Sequence, residues 1–251
     1  MKNVSLLVAL LAVGTSGRPA VAQGIADNSF LIEEAYNQEA GVVQHISAWQ
    51  RSLQSAAWAY SFTQEWPVGS QSHQISYTIP LQRTASPSRT GIGDVALNYR
   101  YQLRSDARIA IAPRLSVLLP TGNSARGLGT GRVGAQLNVP LSVTLAPSVV
   151  THWNAGLTQV SRTTSVNLGA SAIWLARTRF NVMVEMMWTD TEGSNALVVN
   201  PGVRWAYNFA SGLQIVPGIA FPVGIGPSRG ERGVFLYLSF EHRFRSEIAP
   251  K

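Results

Sequence analysis

Residues 132–145 read RVGAQLNVPLSVTL and alternate without a break. Val133, Ala135, Leu137, Val139, Leu141, Val143 and Leu145 fall on one face. Arg132, Gly134, Gln136, Asn138, Pro140, Ser142 and Thr144 fall on the other. Successive side chains of a β-strand point to opposite faces, so a period of two is the strand period. Wound into a helix, the same residues would spread apolar groups around the whole circumference.

The pattern repeats on either side. Over 164–175 one face carries Val166, Leu168, Ala170, Ala172 and Trp174, and the other Ser165, Asn167, Gly169 and Ser171. Over 94–104 the apolar face is Val95, Leu97, Tyr99, Tyr101 and Leu103, opposite Asn98, Arg100 and Gln102. Strands are expected near 42–51, 56–66, 74–82, 94–104, 109–120, 132–145, 148–158, 164–175, 180–189, 198–209, 213–223 and 234–244, about twelve in all. Short links (104–108, 146–148, 176–179, 210–212) alternate with longer ones expected at 83–93, 121–131, 159–163, 189–196 and 224–233. Tight turns on one side and longer loops on the other are the habit of outer-membrane barrels, and an even strand number returns both chain ends to the periplasm. The expected fold is all-β: a transmembrane, antiparallel, up-and-down barrel.

Composition points the same way. Charged residues make up 13% of the chain and apolar residues 45%, against about 25% charged in an average soluble domain. No stretch after the N-terminus reaches the ~18 apolar residues of a membrane-spanning helix. A secreted β-sandwich would also alternate, but its outward face would be charged; here that face is Ser, Thr, Asn, Gln and Gly. The apolar face carries aromatics near segment ends (Trp58, Trp66, Tyr101, Trp153, Trp174, Trp188, Trp205, Tyr207, Phe209, Phe244), as headgroup girdles do. There is no cysteine, hence no disulfide framework and no thiolate metal site. The four histidines show no ligand spacing, so neither a metal nor another cofactor is expected. The net charge of +7 is not gathered into a Lys/Arg tract, which argues against a nucleic-acid partner.

The chain opens with Lys2, an apolar run over 4–13, and Ala20-Val21-Ala22. That order reads as a signal peptide spanning 1–22 and cleaved after Ala22. The remainder divides into an N-terminal periplasmic or lumenal segment (23–41), the barrel (42–244) and a tail (245–251). An alternating last strand closed by Phe244 resembles the signal read by the outer-membrane insertion machinery, although the tail follows it. Expected partners are therefore outer-membrane lipid, that machinery and a small-molecule solute, in a Gram-negative outer membrane.

Gly91-Ile92-Gly93-Asp94 enters one strand, Leu119-Pro120-Thr121-Gly122 leaves the next, and Leu128-Gly129-Thr130-Gly131 precedes the one after. In this order and spacing the motifs resemble the outer-membrane family labelled "putative MetA-pathway of phenol degradation". The resemblance implies a barrel passing small, often hydrophobic or aromatic, compounds, and it brings no catalytic or binding residue. The stretch 30–44, FLIEEAYNQEAGVVQ, looks characteristic of a subgroup but carries no readable role.

Candidates for function lie on the polar, lumen-facing side: Glu65, Arg100, Arg114, His152, Glu185, Arg204 and Arg243. There they set selectivity or pair with one another as a plug. Glu185, within an apolar run, is expected inward and beside an arginine, because a charge on the lipid face costs about 2–4 kcal/mol. Asp94 and Arg126 are outer-loop candidates, and the loop over 121–131 could fold inward and narrow the barrel. An enzyme is not expected. His45 and Ser47 share a face as in a phospholipase-like barrel, but no Asn stands in the neighbouring strand to orient the histidine. Two readings stand beside a channel: a non-conducting envelope barrel, and a membrane hydrolase.

Overall fold

The computed structural model describes residues 28–210 and 213–243. The signal-peptide reading, residues 23–27, Phe244 and the tail lie outside the described residues. Seventeen ladder segments group into twelve antiparallel barrel strands. They are β1 (Val42–Ser52), β2 (Trp58–Val68), β3 (Ser70–Arg83), β4 (Thr90–Ile92, Val95–Tyr101 and Arg104–Ser105) and β5 (Ile109–Ile111 and Arg114–Leu119). Then come β6 (Gly134–Ala146), β7 (Val149–Val160), β8 (Thr163–Arg177), β9 (Phe180–Thr191) and β10 (Ser194–Trp205 and Tyr207–Asn208). The last are β11 (Gln214–Ala220 and Val223–Gly224) and β12 (Gly233–Arg243).

Each strand pairs with its chain neighbours, and β1 also pairs with β12 from Val42↔Arg243 to Ser52↔Gly233. The sheet is thereby closed and has no edge. Two of the interruptions coincide with residues that cannot serve the ladder. β5 breaks at Pro113 and β11 at Pro222, neither of which has an N–H to donate.

Burial is inverted relative to a water-soluble protein. Arg204, His152, Gln44, Gln74, Glu185 and Asn200 are among the largest fully buried side chains. Leu97, Tyr99, Leu115, Leu137, Trp153, Leu168, Trp174, Met186 and Leu236 are exposed on the opposite face. Such a surface is stable only against hydrocarbon. The strands alternate as expected along almost their whole length.

Two connections depart from expectation. The links at 159–163 and 189–196 were expected long. They are tight two-residue hairpins at 161–162 and 192–193, on the same end as the long loops 53–57, 84–89, 120–133 and 225–232. Positive φ at Ser161 (55°), Glu192 (51°) and Gly193 (87°) makes them possible, since tight hairpin turns need left-handed backbone. Polar residues there continue the ladder, so polarity alone suggested loop where there is strand.

Candidate functional site

The lumen is threaded by the chain's own N-terminal segment. Residues 28–38 form no strand, so their backbone groups find no ladder. Side chains of the barrel wall meet that demand instead. The amides of Phe30, Leu31 and Ile32 all donate to Glu185 Oε1, at 3.0, 2.7 and 3.1 Å. Glu33 N donates to Asn154 Oδ1 (2.8 Å), Ala35 N to Ser142 Oγ (2.8 Å), Asn37 N to Gln102 Oε1 (2.8 Å) and Gln38 N to Gln74 Oε1 (2.7 Å). In return Asn154 Nδ2 donates to Glu33 O (2.8 Å), Gln102 Nε2 to Ala35 O (2.7 Å) and Arg100 to Tyr36 O (2.6 Å).

Glu33 is the electrostatic centre of the plug. Arg114 Nε lies 2.9 Å from each of its carboxylate oxygens, Arg100 Nη1 lies 3.1 Å from Oε1, and Asn138 donates to Oε2 at 2.7 Å. Burial works to raise its pKa, but Arg114 and then Arg100 outweigh that, and the carboxyl is held below its ordinary value. Arg100 also reaches Asn37 Oδ1 (2.9 Å) and stands 3.8 Å from Glu65.

The apolar half of the plug is seated by shape. Phe30 packs against Phe235 and Tyr237, with centroids 5.3 Å away in each case. Its ring occupies the space where Gly202 and Gly218 lack a side chain: a Cβ on either would stand 2.6 Å from a ring carbon. Gly169 makes the same room for Ile32. A glycine inside a strand marks close approach of another group, and here that group is the plug.

Glu185 faces the lumen, but its partners are the three plug amides and Asn200 (2.7 Å), not an arginine as expected. Backbone amides supply the positive ends that an arginine would have supplied. Arg204 donates to Asn28 O and lies over the Tyr237 ring at 5.2 Å. His152 is buried against Ser142 (2.7 Å) and meets the Tyr36 ring edge-on. Glu65 accepts from Gln74 (2.9 Å). Arg243 is half exposed at the rim, 3.9 Å from Glu39. Glu65, Arg100, Arg114, His152, Glu185 and Arg204 thus converge on or near one segment, while Arg243 sits below it. Beside the plug remains a cavity of about 210 Å³, walled by Thr63, Glu65, Ser76, Thr78, Asn98, Arg100 and Arg114.

Asp94 and Arg126 lie elsewhere, at the long-loop end. Asp94 accepts from Gly122 N (3.0 Å), Thr130 N (2.7 Å) and Thr130 Oγ1 (2.7 Å), tying down the loop 120–133. The loop drives Leu128 inward until it is buried against Gly91, where a Cβ would stand 2.8 Å from it. The glycine-rich motifs are therefore the seat of an inward-folded loop. Arg126 is exposed on its outer turn. His45 and Ser47 face outward and do not engage each other. His45 meets His242 (3.3 Å), and Ser47 meets Tyr60 (3.1 Å).

The sequence left residues 23–41 either periplasmic or lumenal; how residues 28–38 are held was not legible, because many of the bonds join wall side chains to plug backbone, which leaves no mark on residue identity. The mid-strand glycines at 169, 202 and 218 were the available signal.

A family described as "Putative MetA-pathway of phenol degradation" matches the chain over residues 20–240. Among solved structures the chain is similar to an outer membrane channel from Pseudomonas putida F1, with 15% identity, 84% of this chain and 98% of that one covered, and a TM-score of 0.61. It is similar to the KdgM porin (6% identity, 80% and 99% covered, TM-score 0.55) and the NanC porin (8%, 81% and 100%, 0.55). At these identities the likeness is one of fold. No curated protein matches the chain.

Proposed function

The chain belongs to the family described as "Putative MetA-pathway of phenol degradation", and from that premise we propose that it is an outer-membrane channel for small molecules, gated by its own N-terminal segment. The observation that carries this reading is the chemistry of the plug's attachment. Apart from the ion pairs and amide bond at Glu33 and a few side-chain contacts of Ser29, Asn37 and Gln38, the bonds holding residues 28–38 join a side chain of the wall to a backbone group of the plug. Water can replace such bonds one by one, whereas a ladder strand would have to be unzipped. When the segment is seated, a cavity of about 210 Å³ is what is left beside it. When it shifts, Glu185, Arg100, Arg114 and Arg204 line an open lumen and act as selectivity residues. The cavity is bounded on one side by hydroxyls, amides and charges (Thr63, Ser76, Thr78, Asn98, Arg100, Arg114) and on the other by Phe30, Leu31, Ile46 and Tyr237, a mixed lining that suits small solutes carrying both polar and apolar groups.

A lock tests it. Ser29 Oγ and Ser171 Oγ stand 2.7 Å apart, one on the plug and one on β8, and the chain has no cysteine of its own. The pair S29C/S171C should close to a disulfide under a mild oxidant such as copper phenanthroline with oxygen, which takes up the two electrons, since disulfide sulfurs sit about 2 Å apart. In planar bilayers the oxidised pair is expected to hold the barrel at low conductance, and reductant to restore wild-type openings. Wild-type barrels that pass neither ions nor solute would sink the channel reading and leave a non-conducting envelope barrel in its place.

A further inference from the structure

Beyond transport, we propose that the outward faces of β1, β2 and β3 form a docking site for a phosphate-bearing glycolipid headgroup of the outer leaflet, centred on Arg51, Trp58 and Arg83. The inference rests on the same membrane placement of the barrel but not on the gate. The register puts the three residues in one row: Arg51 is opposite Trp58, and Trp58 is opposite Arg83. Alternation places the row on the lipid side. Thr63 and Thr78 line the lumenal cavity, so Trp58 and Tyr60 on β2, and Leu81 and Arg83 on β3, point outward. Gln44 lies on the lumen side beside Glu241 and Gln38, which turns Trp49 and Arg51 outward.

Both arginines are exposed, and among the described residues neither is in an ion pair. Arg83 spends only its Nε, on Ser88 Oγ (2.9 Å), leaving its two terminal nitrogens free to grip an anion. Two strand spacings separate the arginines, roughly 10 Å. Side chains of their length can converge on one phosphate or hold two phosphates of one headgroup, and guanidinium suits phosphate by geometry as well as charge.

The row directly beneath supplies the second half of a lipid site. Leu236, Trp49, Tyr60, Leu81 and Ile92 are consecutive cross-strand neighbours on the same face. They are wholly apolar or aromatic, as acyl chains require. The level is right too. From His73 to Arg83 on β3 is ten residues, about 33 Å of strand, or about 25 Å of height at a barrel's usual tilt, which is the height of a lipid-facing band. The arginines therefore meet the membrane where headgroup phosphates lie, at the long-loop end. Trp58 between them is placed as an interfacial anchor.

The test uses the full mature barrel in phosphatidylcholine nanodiscs doped with diphosphorylated lipid A or with its dephosphorylated form. Retained lipid is read by native mass spectrometry. Wild type should retain the phosphorylated lipid preferentially, R51Q/R83Q should retain about tenfold less, and R51K/R83K should recover part of the difference. Inorganic phosphate alone should not compete at millimolar levels, because it lacks the acyl tier. Heat-modifiable gel mobility reports that each variant is folded. Equal retention by wild type and R51Q/R83Q, or equal retention of both lipid forms, overturns the proposal. Conductance measured on the same samples separates its failure from failure of the channel reading.

Discussion

Glu33 carries more of the closed state than any other plug residue, because two guanidinium groups and an amide converge on it. Removing one partner of a buried ion pair costs about 3–5 kcal/mol. With Glu33 one-fifth exposed, E33Q should weaken plug seating by about 3 kcal/mol, seen as a higher open probability in planar bilayers. The same contact sets a pH response. A carboxyl whose pKa is depressed in the seated state stabilises that state above the usual carboxylate range, and the stabilisation is lost as pH falls through the depressed value. Openings should therefore grow more frequent on acidification below that range, and E33Q should flatten the dependence; an unchanged acid response in E33Q would assign it to another group. On the apolar side, Gly218→Val places a branched side chain where the Phe30 ring sits. It should unseat the plug while leaving the barrel heat-modifiable, and F30A should recover seating in part.

At the scale of elements, the plug and the inward loop should be separable. Deleting residues 28–38 removes no ladder bond, so the barrel should still fold and conduct several-fold better than wild type. Asp94→Asn should free the loop 120–133 from β4, read as faster tryptic cleavage after exposed Arg126 with little change in conductance. The strands themselves were legible because lipid and lumen impose opposite chemistry on adjacent residues, as in Leu137/Asn138 and Trp153/Asn154. Lumenal sidedness of Arg100, Arg114 and Glu185 followed from the same rule. Their partners did not, because sequence does not reveal that three consecutive amides will stand where an arginine was expected. The tight hairpins at 161–162 and 192–193 were missed because Thr, Ser and Asn serve equally in loops and on a wet strand face.

For the whole molecule, the inverted burial makes one physical demand: hydrocarbon outside, and water or plug inside. Outer-membrane fractionation should recover the chain with the barrel fraction, and boiled and unboiled samples should migrate differently because the ladder is closed. Recovery as a detergent-free periplasmic species would contradict the exposed Trp153, Trp174 and Leu236. The seam between β1 and β12 has a bearing on assembly order. The plug runs directly into β1, and Gln44 links Gln38 on one side to Glu241 of β12 on the other. Closing that seam with the leader already inside would cork the vessel as it is sealed, while a leader left at the mouth could still thread in from that end, by the route a working gate travels.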